Sequence, residues 1–515
     1  KLNFFTNYGF RYQNFPGKGE YYQEFYKGDT TTYLEEDQDT EHGGWSNNIR
    51  FGADYFFNEK NILTGSFLYS YGKEENKNEI EYRDYNFLRQ LTGTTFRNDN
   101  EGELERNLEY AFTYKKLFDR KEHELTTDFR FEGTSDRATN DIYERKSSAT
   151  AEPSLTEDIS TLEKEQRYLF QLDYVHPFND KGKFEAGLKN NFRNVNNDYY
   201  VRELGANDQW QEISSLSNNL DYNEKIHAAY LILGNEYQPF SYQLGIRGEY
   251  SDIGTHLLKT GEKNDRSYFN LFPSLHLTYE IFDQNSLQLS YSRRLRRPRH
   301  RELNPFSGYS DSRNIRRGNP TLDPEFTNSY EFNYVKNWET GSFSSGVYYR
   351  HTNGVIQYIR TLEDTIIVTH PENLSTGQAY GFEFTSAIDL FKWWNIDGNL
   401  NFFKAITDGG NLGSEYKSET YSWFGRINSK TTLWKDIDLQ LRFRYMAPRK
   451  SIQGREKASY FMDLGLSKDI FHGNGTLTLS VRDLLNSHKH ENETFGDGFY
   501  SNSYFQFHRR AITLG

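Results

Sequence analysis

The reading of the fold turns on residues 290–325, SYSRRLRRPRHRELNPFSGYSDSRNIRRGNPTLDPE, which run straight into a new alternating segment, FTNSYEFNYV. The stretch leaves a strand in which Leu287, Leu289 and Tyr291 point one way and Gln288, Ser290 and Ser292 the other. Arg293, Arg294, Arg296, Arg297, Arg299 and Arg301 then crowd together. The prolines of Leu303-Asn304-Pro305-Phe306 and Gly318-Asn319-Pro320 cannot donate to a ladder, so they mark a long excursion between two strands.

Working outward, the same alternation recurs along the chain. Leu2, Phe4, Tyr8, Phe10 and Tyr12 oppose Asn3, Asn7, Gly9 and Arg11, which predicts an opening strand from Lys1 to Tyr12. Further segments set Leu244, Ile246, Leu400, Phe402, Leu439, Leu441, Leu477 and Leu479 on an apolar face. Arg247, Glu249, Asn399, Asn401, Gln440 and Arg442 fall on the polar one. A soluble sandwich also alternates, so the turns decide. Short polar turns are expected near Glu59, Arg120, Asp180, Ser241, Gln284, Glu339, Lys392, Lys435 and Gly473. Each has an aromatic close by: Phe57, Phe118, Phe178, Phe240, Phe282, Trp338, Phe391, Trp434 and Phe471. Tight turns under an aromatic girdle at one end, with long polar connections at the other, are the layout of a transmembrane barrel. The long connections are expected at 73–102, 136–160, 204–217, 297–325 and 486–499.

Composition agrees. The 515 residues include 39 tyrosines and 40 phenylalanines but only 35% hydrophobic residues, too few for the core of a soluble protein of this size. No apolar run is long enough for a membrane helix, so strands must do the spanning. With no cysteine, disulfides and thiolate metal sites are excluded. The net charge of −12 makes nucleic acid an unsuitable partner. The expected fold is all-β: a transmembrane antiparallel β-barrel of about twenty strands, one domain over residues 1–515, with both chain ends on the periplasmic side. The pattern begins in mid-strand at Lys1 with no leader ahead of it, so the chain reads as part of a longer protein.

The order Ser-Arg-Arg, Arg-Pro, Leu-Asn-Pro-Phe and Gly-Asn-Pro-x-Leu-x-Pro-Glu resembles the mid-barrel signature of TonB-dependent receptors and their outer-membrane β-barrel relatives in Bacteroidota. Asn373 followed by Tyr380-Gly381-Phe382-Glu383, and Val481-Arg482-Asp483-Leu484-Leu485-Asn486, add to the likeness. The resemblance implies a 22-stranded barrel whose plug domain, energy-coupling box and first hairpin precede Lys1. It also implies a place in the bacterial outer membrane, long loops outside, with outer-membrane lipid and lipopolysaccharide around it. Two functions fit. One is uptake of a large or scarce ligand, driven by TonB-type coupling through the plug, with a surface lipoprotein as a further expected partner. The other is a non-transporting barrel subunit of a larger outer-membrane machine for barrel assembly or protein secretion.

Candidate chemistry centres on the excursion. Arg294 and Arg296 continue the lumenal register and, with Asn319 and Glu325, are expected to contact the plug or the cargo; Arg293 continues the lipid-facing register, where a rim arginine can pair with lipopolysaccharide phosphates. The plain alternative is that the arginines balance lumenal carboxylates such as Asp463 and Glu383. The acidic run Glu35, Glu36, Asp37, Asp39, Glu41 and His42, placed in the first outward connection, lacks the order of a calcium loop and reads as a solvated charge run. His488-x-His490-x-x-Glu493 offers nitrogen and oxygen donors, yet two histidines on a polar loop specify no metal. No nucleophile elbow, zinc-protease helix or phosphate-binding glycine loop is present, so the chain is expected to be neither enzyme nor cofactor protein.

Overall fold

The structure is a computed structural model, and it describes all residues except 148–152, 307–312, 434–436 and 507–508. The expected turn at Trp434 and Lys435 lies outside the described residues. Elsewhere the alternating segments become strands of one sheet of 26. Trp210–Glu212, Asn314–Arg316, Arg449–Ser451, Gly454–Glu456 and His490–Gly496 are short pairings at the outer end. Phe499–Gln506 and Ala511–Leu514 are two halves of one last stave. The wall is thus an antiparallel meander of twenty staves among the described residues. Tight turns join the staves where the aromatics announce them, for example between Asn58 and Asn61 and between Trp338 and Gly341. The turn placed near Ser241 falls slightly earlier, at Gln238-Pro239.

The two faces separate as the alternation requires. Leu244, Ile246, Phe402 and Leu477 are exposed on the outer wall, where lipid covers them, while Glu249 and Asn401 are buried on the lumenal side. Arg442 donates to lumenal Asn428 at 3.2 Å.

The staves are longer than the sequence indicated. Thr30–Asn58 has 29 residues and at 3.3 Å per residue spans about 95 Å, whereas a tilted strand crosses the membrane in about 10. Most of the supposed outer loop 73–102 is therefore strand, with a turn only between Tyr85 and Leu91, and the acidic run 35–42 lies inside a stave. Above the membrane both faces meet water or other protein. The apolar half of the alternation disappears there, and its absence mimics a loop. Cross-strand pairing carries the ladder on: Arg83 binds Asp37 at 2.6 Å and Glu35 at 3.3 Å.

The seam between first and last staves is closed only in its outer half. Lys18–Phe25 pair with Phe499–Gln506, and the Arg509 amide donates to the Pro16 carbonyl at 3.3 Å. Below this point, among the described residues, Leu2–Phe15 pair only with the second stave, and Ala511–Leu514 only with Leu479–Arg482. Asn486 fixes the crossover, its Oδ1 accepting from Gln506 Nε2 and the Arg510 amide, both at 3.1 Å. Asp483 shapes the turn before it, accepting the Ser487 and His488 amides at 2.9 and 3.0 Å. The Val481–Asn486 motif is thus the anchor of the closing stave.

Candidate functional site at the mouth of the lumen

In its described residues, 297–306 and 313–324, the excursion between the staves Asn285–Arg296 and Glu325–Trp338 does not stand out into solvent. It folds inward. Its first turn is a four-residue helix, His300–Leu303, closed by a capping contact in which Glu302 accepts the Arg299 amide at 2.8 Å. Leu303 and Leu322, both buried, pack against Val195, Tyr222, Ile253 and Ile356 from four staves. Burying such side chains contributes about 1.5–3 kcal/mol each, which favours docking on the wall over a free loop.

Gly318 explains the Gly-Asn-Pro signature. A Cβ there would meet the Asn304 carbonyl oxygen at 2.4 Å and that of Glu302 at 2.7 Å. With only hydrogen present, the chain returns close over the helix. The Gly318 amide donates to Asn304 at 2.9 Å and the Asn319 amide to Glu302 at 2.6 Å.

Ion pairs fix the excursion at several points around the mouth. Arg296 bonds Glu302 at 2.7 Å and Glu325 at 3.1 Å, and Glu325 also accepts the Ile356 amide at 2.6 Å. Arg297 reaches Glu249 and donates to Ser251 at 2.7 Å. His300 lies between Glu163 and Arg193, at 3.4 and 3.1 Å, with Arg193 held by both oxygens of Glu165. Burial pushes the Glu163 carboxyl up, but His300 and Arg301 outweigh it and hold it below its ordinary range. Farther along, Arg313 makes a two-pronged contact with Asp84 at 2.8 and 3.1 Å and lies 4.4 Å over the Tyr82 ring. Gln23 Nε2 donates to Asn314 at 3.4 Å, and Asn314–Arg316 pair in parallel with Ile367–Thr369. Glu163, Asp84, Gln23 and Ile367 belong to staves spread around the barrel, so the excursion crosses the mouth.

The four residues singled out from the sequence have separate places. Arg296 and Glu325 meet. Asn319 organises the return, donating to the Pro371 carbonyl at 3.1 Å and accepting from the Thr321 amide at 2.9 Å. Arg294 is exposed on the lumenal register and has no ion pair among the described residues. The counter-charges of the cluster are Glu249, Glu302, Glu325 and Glu163, not Asp463 and Glu383. Those two sit on distant staves, and inward folding brings the excursion to acids that spacing along the sequence could not reveal. Arg293 lies 5.3 Å over the Phe326 ring on the outer face. Arg266 and Asn373 were missed. Arg266 holds the Thr321 and Leu322 carbonyls, each at 2.6 Å, and Asn373 exchanges hydrogen bonds with the Asp323 backbone at 2.7 and 3.0 Å. Asn373 had a signal in its family-like context; Arg266, a lone arginine in an alternating strand, had none.

His488 and His490 are neighbours, with ring centroids 5.3 Å apart, but Glu493 is taken up by Arg455 at 2.6 Å. No group of three ligating side chains forms among the described residues.

A lumenal wall of twenty staves crossed at its mouth by a tethered segment defines the architecture of a large outer-membrane barrel. Residues 116–515 match the Outer membrane protein beta-barrel family, and the chain belongs to it. Its place is the bacterial outer membrane, with the long stave ends outside and the short turns in the periplasm. Among solved structures it is similar in fold to the copper transporter OprC, at 10% identity with a TM-score of 0.60, covering 96% of this chain and 82% of that one. It is also similar to the siderophore receptor PiuA from Acinetobacter baumannii, at 8% identity, a TM-score of 0.56 and the same shares. The ferric-catecholate import receptor Fiu from E. coli K12 gives 10% identity and a TM-score of 0.56, with 97% and 82% covered. No curated protein matches the sequence.

Proposed function

We propose that the chain is the barrel domain, over residues 1–515, of a TonB-dependent receptor-like protein that takes up a large or scarce ligand, completed by an N-terminal plug and driven through it by TonB-type coupling. The observation that carries this reading is the tethered excursion. A barrel this wide leaks unless its lumen is filled, and a segment already fixed across the mouth restricts entry to cargo that is recognised. The similarity in fold to copper and siderophore transporters supports it. Within the mouth, Arg294, without an ion pair among the described residues, offers its guanidinium to an anionic group of cargo or plug, while Arg296, Asn319 and Glu325 hold the surface around it. The protein acts as a receptor and conduit, not as an enzyme.

The test is competition growth of a strain lacking the gene against the same strain carrying it, on a panel of limiting nutrients: chelated iron, copper, cobalamin and oligosaccharides. A deficit on at least one nutrient, restored by the unmodified gene and not by one encoding Arg294→Ala, supports uptake through this surface. No deficit on any nutrient, together with stable co-purification with an assembly or secretion machine, replaces it with the accessory-subunit reading.

A further inference from the structure

On the outward wall, several cations near the upper edge of the membrane band have an acidic partner. Lys404 pairs with Glu419 at 2.5 Å, Lys73 with Glu75 at 2.6 Å, and Lys225 lies 3.7 Å from Asp252. Arg106, Arg137 and Lys164 differ. All three are exposed, and none has an ion pair among the described residues. They sit on the adjacent staves Leu91–Leu117, Glu124–Lys146 and Leu155–Pro177, where Arg106 pairs in register with Ser135 and Ser135 with Lys164. Arg137 is two residues farther out on the middle stave. Strand spacing puts the Arg106 and Lys164 backbones about 10 Å apart and Arg137 about 7 Å from Ser135. Three long side chains on that triangle can converge on one tetrahedral anion above the small Ser135.

What lies beneath selects the anion's carrier. Two rows nearer the membrane centre, Phe51, Phe67, Tyr110, Phe131 and Tyr168 form a ladder of rings across five staves, with successive centroids 5.1, 5.2, 6.4 and 4.9 Å apart. Between ladder and cations the middle stave carries only Gly133, where a Cβ would lie 3.3 Å from the Phe131 ring. The surface is therefore a shallow apolar cleft leading up to a positive triangle. Arg106 is 11 residues from the periplasmic end of its stave at Leu117, about 28 Å along the membrane normal at a 40° tilt, which is the outer edge of a 25 Å apolar band.

We propose that this surface binds a phosphorylated glycolipid of the outer leaflet, its phosphate held by Arg106, Arg137 and Lys164 and its acyl chains laid on the aromatic ladder. Unpaired cations at headgroup height attract anionic lipid, and three of them gathered on adjacent staves in an acid-free patch supply the charge complementarity.

The experiment measures binding of a purified bisphosphorylated glycolipid, its enzymatically dephosphorylated form and inorganic phosphate to the delipidated full-length protein in detergent. Binding of the bisphosphorylated form should be about 100-fold tighter than in the triple variant Arg106→Gln, Arg137→Gln, Lys164→Gln. The dephosphorylated form should bind the unmodified protein no better than the variant binds either lipid, and inorganic phosphate should not compete. Equal binding of the two lipids by the unmodified protein overturns the proposal without any variant. So does inorganic phosphate competing at the same concentration as the glycolipid, which makes the triangle a simple anion site. The control variant Lys225→Gln, Lys404→Gln should keep full binding; loss there as large as in the triple variant also overturns it.

Discussion

Across the mouth of the lumen Arg296, Arg297, Arg266 and Arg313 each meet a carboxylate, whereas on the outward face of the same wall Arg106, Arg137 and Lys164 meet none among the described residues. The two groups share a chemistry and differ in surroundings. Mouth arginines are shielded by staves and by the excursion itself, where an unpaired guanidinium would be costly, so the fold supplies partners. Rim cations stand at the edge of the lipid headgroups, and the membrane can supply theirs. Within the mouth, pairing therefore marks residues that hold structure, while Arg294, exposed on the lumenal register and without an ion pair among the described residues, is available to a ligand.

The comparison rests on the assignment of faces, so the largest effect should come from reversing it. Leu441→Arg puts a charge on the lipid face near mid-membrane and should cost about 2–4 kcal/mol in urea unfolding from lipid vesicles, while Gln440→Arg on the lumenal face should cost well under half of that. Equal losses would break the assignment. Next, Arg297→Ala leaves Glu249 buried with only Arg247, at 2.7 Å, to neutralise it, and should destabilise by about 2 kcal/mol. The same truncation at Arg137 should change stability by less than about 0.5 kcal/mol, because the side chain is exposed and has no ion pair among the described residues.

A third region sharpens the contrast by carrying the opposite sign. On the lumenal wall above the membrane, burial and then Asp136 push the Glu103 carboxyl up to about 8. An acid whose native pKa is raised keeps its proton in the folded state after the unfolded chain has lost it. Stability therefore falls as pH rises from about 4.5 to 8. Glu103→Gln should be more stable than the unmodified protein at pH 8, by about 1 kcal/mol once solvent screening of this half-exposed pair is allowed for, and should match it at pH 4. A difference independent of pH would show that the carboxylates do not oppose each other.

How much of this the sequence showed depends on whether a residue had a lipid face to contrast with. Alternation revealed the faces at Leu244 and Arg247, and the aromatics located the inner turns, because hydrocarbon on one side and water on the other impose a period of two. Above the membrane that contrast vanishes, so the staves running through Glu35–His42 and through 73–102 passed for loops. The excursion was legible as an interruption, through its prolines and Gly318, but its inward course was not. His300–Leu303 is too short to show a period, and its partners Glu163, Glu249 and Asp84 lie far away in sequence. Arg106, Arg137 and Lys164 escaped notice for a related reason: each is a single cation in its own strand, and only cross-strand register brings them together.

The central claim, that the described parts of the excursion, residues 297–306 and 313–325, lie fixed across the mouth, is tested most directly by cross-linking. The chain has no cysteine, so Gln23→Cys with Asn314→Cys introduces one thiol on the first stave and one on the excursion, where the native side chains are 3.4 Å apart. With a short bismaleimide the doubly substituted barrel should form an internal cross-link in nearly every molecule, seen as a shifted band on denaturing gels and as a linked peptide pair by mass spectrometry. If each cysteine alone reacts with a small maleimide but the pair yields no internal cross-link, the excursion does not span the lumen and the account fails.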